Sequence, residues 1–80
     1  MQQTGAINLY QAEKRRSLLV KSAPCISLLE NLGVRPGTRL TIQNRYFLGG
    51  PVLLKVEDTY IIALGKDIAK QITVEKATAV

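Results

Sequence analysis

Leu32-Gly33-Val34-Arg35-Pro36-Gly37-Thr38 scripts a helix stop, a tight turn and a strand start in one short stretch. Glycine tolerates the left-handed backbone that ends a helix, so Gly33 is the expected cap, with Leu29 and Val34 making the accompanying apolar contact. Pro36 and Gly37 follow as a turn pair. Proline presets the first central φ and glycine accepts a positive φ at the second, so residues 35–38 read as a type II turn. Leu40 and Ile42 then open an alternating run, which sets a helix before the turn and a strand after it.

On the N-terminal side of this punctuation, residues 16–21 read as a first strand. Leu18 and Val20 lie on one face, and Ser17, Leu19 and Lys21 on the other. Ser22 is the expected helix start, because its hydroxyl can accept from an early helical N–H while Pro24 in the first turn gives up no needed donor. Cys25, Leu28, Leu29 and Leu32 recur at i, i+3, i+4 and i+7. That spacing is one helical stripe and makes Cys25 a small buried hydrophobe.

On the C-terminal side, residues 39–47 alternate as a second strand, with Leu40 and Ile42 inward and Thr41, Gln43 and Arg45 outward. Gly49, Gly50 and Pro51 close it. Residues 51–56 form a third strand that turns Val52, Leu54 and Val56 to the core, and Glu57-Asp58-Thr59 is a polar turn. Residues 60–64 are apolar on both faces, which argues for a central strand. Gly65 breaks that strand before a helical turn at 66–69, and residues 71–74 supply the last strand. The fold class expected is mainly β: a small five-stranded SH3-like barrel with one short α-helix inserted after the first strand, closure removing the edges that a flat sheet would expose.

Composition limits what such a domain can do. The chain has 80 residues, 46% of them apolar, and so one core. Residues 1–12 are polar and weakly patterned and are expected to be loosely ordered, with the domain over 13–75 and a small tail at 76–80. One cysteine and no histidine exclude an internal disulfide and remove the usual zinc ligands. Carboxylates stand singly apart from Glu57-Asp58, so neither a metal nor another cofactor is expected in the monomer. Without a histidine base, no hydrolytic triad can be assembled, and a non-enzymatic role is expected. Gly49-Gly50 is followed by proline and a strand, where a phosphate-binding loop requires Lys-Ser/Thr at a helix start. No uncharged apolar run approaches the ~18 residues of a membrane span, and residues 1–10 lack an export signal.

The order and spacing of Leu28-Leu29, Leu32 to Thr38, Gly49-Gly50-Pro51-Val52, Ile62-Ala63-Leu64 and Ile68-Ala69-Lys70-Gln71-Ile72-Thr73-Val74 resemble the FeoA family over residues 14–75. The C-terminal SH3-like domains of iron-dependent repressors are similar too, although no helix-turn-helix precedes the domain here. Glu13-Lys14-Arg15 stands where the family often has a glycine. The resemblance implies a small cytoplasmic accessory of bacterial ferrous-iron uptake, working by contact with the inner-membrane transporter FeoB and reaching the membrane through that partner.

Net charge and outward apolar positions suggest where contact is made. A formal charge of +5 draws the protein toward nucleic acid, anionic lipid or an acidic partner surface without naming which. Leu19, Leu53 and Ile61 are apolar on outward positions, and the inserted helix is expected to cover part of that face through Leu28, Leu29 and Leu32, leaving Leu53 and Ile61 exposed. With Arg45 and Lys55 as a basic rim and Tyr46 and Phe47 beside them, they form the candidate partner surface. Gly33, Pro36, Gly37, Gly49, Gly50 and Pro51 define turns. The alternative is a small nucleic-acid-binding module, in which Lys14-Arg15-Arg16, Arg39, Arg45 and Lys55 track phosphates and Tyr46 and Phe47 stack on bases; ordinary composition makes a solvated basic edge the preferred reading. An exposed edge also leaves pairing with a second copy open.

Overall fold

Six antiparallel strands form one ladder in the computed structural model, which describes residues 6–46 and 48–77. They are β1 (Ile7–Asn8), β2 (Ser17–Ser22), β3 (Arg39–Arg45), β4 (Val52–Val56), β5 (Tyr60–Leu64) and β6 (Thr73–Lys76), in spatial order β1-β6-β2-β3-β4-β5. A 3-10 turn, Leu9–Gln11, follows β1; helix α1 (Ser27–Leu32) links β2 to β3, and α2 (Lys66–Ala69) links β5 to β6.

Alternation sends one set of side chains to a common face. Leu18, Val20, Leu40, Ile42, Val52, Leu54, Val56, Leu64 and Val74 are buried there, joined by Leu9, Ala12, Leu29, Val34, Ala69 and Ile72 from the turns, helices and connections. Each buried Val, Leu or Ile side chain among them contributes about 1.5–3 kcal/mol on burial.

The turn region is built as its residues dictate. Gly33 is left-handed at φ 80°, ψ 15°, and the Val34 and Gly33 N–H groups donate to the carbonyls of Leu29 and Glu30 at 2.9 and 3.1 Å. This is the paired hydrogen-bond pattern of a Schellman stop, with Leu29 and Val34 both in the core. Gly37 has φ 96°, and the Thr38 N–H donates to the Arg35 carbonyl at 2.9 Å, as a type II turn requires. Buried Thr38 is satisfied: its hydroxyl donates to the Gly33 carbonyl at 2.9 Å and accepts from the Arg35 N–H at 3.2 Å.

Four expectations are corrected. First, the ladder has six strands rather than five and stays open, with β1 and β5 as its two edges. Tyr60–Leu64 is therefore an edge strand, not a central one, even though both its faces are apolar. Second, residues 7–12 belong to the fold. Ile7 and Asn8 pair with Val74 and Thr73, while Leu9 and Ala12 are fully buried. The segment then runs across the mouth of the sheet: the Leu9 N–H donates to the Ile72 carbonyl at 2.7 Å, and the Arg15 N–H to the Ile42 carbonyl at 2.9 Å. Main chain thus ties the β6 side of the sheet to β3, the two neighbours of β2.

Third, the helix starts at Ser27. Ser22 is still in β2, opposite Thr73 after a register shift, and the N-cap is Ile26 in an extended conformation without a side-chain cap. Pro24 disfavours helical backbone at Ala23, so the chain stays extended through it. Cys25 consequently lies outside the helix and is exposed rather than buried. Fourth, α1 packs into the core through Leu29 and partly buried Leu32, while Leu28 is 46% exposed, so the helix does not cover the outward face of the sheet.

Candidate interaction surface

The hairpin register decides which outward side chains meet. Thr41, Lys55 and Ile61 share one row across β3, β4 and β5, and Asn44, Leu53 and Ala63 share the next. Opposed residues on antiparallel strands project to the same side, and diagonal neighbours lie within reach of long side chains. Leu53, Lys55, Ile61 and Ala63 therefore form one patch. Ile61 is 55% exposed and Ala63 is exposed, while Leu53 and Lys55 are half-buried. Leu19 does not join them, because its row is shared with Arg39 and Glu75 on the β3 and β6 sides.

Arg45 departs from the alternation. The register slips between Ile42 and Asn44, so that Gln43 and Asn44 together face Leu53, and Arg45 comes opposite buried Val52. A bulge of this kind shifts every later side chain to the opposite face. The Arg45 guanidinium accordingly turns away from the outward patch and donates to the Ala12 carbonyl at 2.6 Å, bracing the N-terminal segment against the β3–β4 hairpin. The consecutive polar pair Gln43-Asn44 is the signal in the sequence that alternation stops there.

Tyr46 extends the hairpin by one rung, its N–H donating to the Pro51 carbonyl at 3.1 Å, and its side chain is 45% exposed. Phe47 lies outside the described residues. Leu48 is fully exposed at φ 61° beside Gly49 at φ 80°. Tyr10 anchors this hairpin end, its hydroxyl donating to the Gly50 carbonyl at 3.3 Å.

The cations do not form one track. Arg39 and Lys55 lie on neighbouring outward rows, Arg45 points to the Ala12 carbonyl, and Arg16 is paired with Glu13 at 2.9 Å. Among the described residues, no three of His, Cys, Asp and Glu come together as a metal-holding group. No described helix is long and apolar enough to cross a membrane.

A mainly β domain of this order, with short helices after its first long strand and after β5 and an open apolar patch, defines the class of small SH3-like modules. The FeoA domain model matches residues 7–76, and the chain belongs to the FeoA family. The crystal structure of an iron uptake regulatory protein, FeoA, is similar with a TM-score of 0.80 at 20% identity, covering 90% of this chain and 97% of that one. A FeoA-like protein from Clostridium acetobutylicum gives 0.77 at 26% identity, with 98% and 94% covered. A manganese-dependent transcriptional repressor gives 0.82 at 16% identity, but this chain spans only 45% of its length. The chain matches none of the curated proteins with which it was compared. Its structural neighbours are thus FeoA proteins and the SH3-like domains of metal-dependent repressors, and family membership implies a role in ferrous iron uptake.

Proposed function

We propose that this FeoA-family chain is a non-enzymatic, protein-binding adaptor of bacterial ferrous iron uptake, docking in the cytoplasm on the FeoB transporter through the outward face of β4 and β5. The observation that carries the reading is Ile61, a large apolar side chain 55% exposed beside Leu53 and Lys55 on the outward face of the sheet. Such a contiguous patch marks a contact surface. Lys55 and the net charge of +5 favour an acidic face on the partner and speed the encounter. Tyr46 stands at the hairpin end as a further contact; Arg45 shapes the surface from below through the Ala12 carbonyl. Iron is the transporter's cargo in this scheme. Docking regulates transport only so far as it binds one transporter state better than another.

Capture of FeoB by the immobilised chain tests the reading. Ile61→Asp and Leu53→Asp should each weaken capture at least about tenfold, the cost of placing a carboxylate in a desolvated apolar contact. Far-UV circular dichroism should stay that of the parent. Undiminished capture by both folded variants removes this face from the interface.

A further inference from the structure

We infer that β5 is a self-pairing edge, through which two copies of this chain join antiparallel about a twofold axis at Ile62. The ladder has two edges, and they are unequal: β1 has 2 residues, β5 has 5. Soluble proteins blunt long edges with charge, proline or a bulge. Tyr60-Ile61-Ile62-Ala63-Leu64 has none of these, and its pairing with β4 runs without a register shift. Both of its faces carry exposed apolar surface, Tyr60 at 44% on the side of Val56 and Ile61 at 55% on the side of Lys55.

Charge at the strand ends selects a second copy in one orientation. Glu57 and Asp58 precede the strand, and Lys66 follows it. Centred on Ile62, antiparallel pairing sets Tyr60 of each copy opposite Leu64 of the other and Ile61 opposite Ala63. The acidic turn of each copy then meets the start of α2 in the other, with Asp58 opposite Lys66 and Glu57 opposite Asp67; the Glu57 carboxylate is already held by the Arg39 N–H at 3.0 Å, so Asp58 and Lys66 make the attractive contact. Parallel in-register pairing would set each of these charges against its own like. Asp58 has no ion pair within its own copy among the described residues, and the Lys66 ammonium lies 5.8 Å above the Tyr10 ring. The arrangement is isologous and consumes the long edge of both copies, so it closes as a dimer and does not propagate. Contact confined to one short strand and its ends falls at the small end of interface sizes, which makes the dimer weak and concentration-dependent. Ile61 belongs to this contact and to the proposed transporter surface, so the two compete; self-pairing itself does not rest on the transporter reading.

Sedimentation equilibrium of the isolated chain from about 10 μM to about 1 mM tests it independently of any partner. A reversible monomer–dimer transition is expected. Ala63→Lys, which sets an ammonium on the exposed edge, should leave monomer throughout. Asp58→Lys and Lys66→Asp should each raise the dissociation constant about tenfold, corresponding to ~1.4 kcal/mol, and the double exchange should restore it. Each variant is compared by circular dichroism, and Lys66→Asp carries the charge test alone if the turn variant fails to fold. Monomer at every concentration, or a dimer indifferent to Ala63→Lys and to the charge exchanges, overturns the inference.

Discussion

Single positions in this domain do work that their residue types announce to differing degrees. Gly33 combines two demands: its backbone is left-handed at φ 80°, and a Cβ built there would meet the Tyr60 hydroxyl oxygen at 2.8 Å, the hydroxyl that donates to the Leu32 carbonyl. Gly33→Ala therefore adds backbone strain of about 1–2 kcal/mol and dislodges that hydroxyl at further cost. The expected total is a loss of about 2–3 kcal/mol in urea unfolding, with the folded spectrum retained. Gly37, with nothing near its missing side chain, differs only in backbone. Both glycines were legible because a positive φ selects glycine from neighbouring residues alone. Arg45 was not, since its direction depends on a bulge decided by pairing with β4; Cys25 was misplaced because Pro24 delays the helix start past it.

Elements show the same division between local and distant causes. The β4–β5 turn places Glu57 at φ 50° and Asp58 at φ 59°, and the Thr59 N–H donates to the Val56 carbonyl at 2.9 Å. Positive φ at both central positions is the requirement of a type I′ turn, for which glycine at the second position is preferred. Asp58→Gly relieves left-handed strain of ~1–2 kcal/mol and loses ~0.5–1 kcal/mol to greater freedom in the unfolded chain. A net gain of about 0.5–1 kcal/mol is expected, read as a higher urea midpoint at constant slope. Glu57 is the poorer choice for replacement because its carboxylate accepts the Arg39 N–H at 3.0 Å. The strands at Val52–Val56 and Tyr60–Leu64 were legible from their alternation and bounding turns, but the edge position of the latter was not. Apolar residues on both faces of a strand read the same whether a neighbouring strand or an open edge lies beside it. β1 was illegible for a simpler reason, because two residues have no period.

At the scale of the molecule, an open ladder of six strands is kept from fraying by main chain laid across its mouth. Residues 9–15 reach from the β6 side to the β3–β4 hairpin through the Leu9 and Arg15 N–H groups, the Tyr10 hydroxyl and the Ala12 carbonyl. A small domain without a disulfide has little stability to spare, on the order of 5–10 kcal/mol, so this strap is part of the cooperative unit if its anchor lies in the common core. Leu9 is that anchor, fully buried among side chains from the sheet and helices. Leu9→Ala should therefore cost about 2–5 kcal/mol and lower the urea midpoint to match, whereas Leu48→Ala, at a fully exposed position, should stay within about 0.5 kcal/mol. Removal of residues 1–12 should go further and abolish cooperative unfolding, because it strips β1 from β6 and leaves the Arg45 guanidinium without the Ala12 carbonyl. A truncated chain that unfolds cooperatively at the parent midpoint would show instead that the curled sheet holds itself together without the strap.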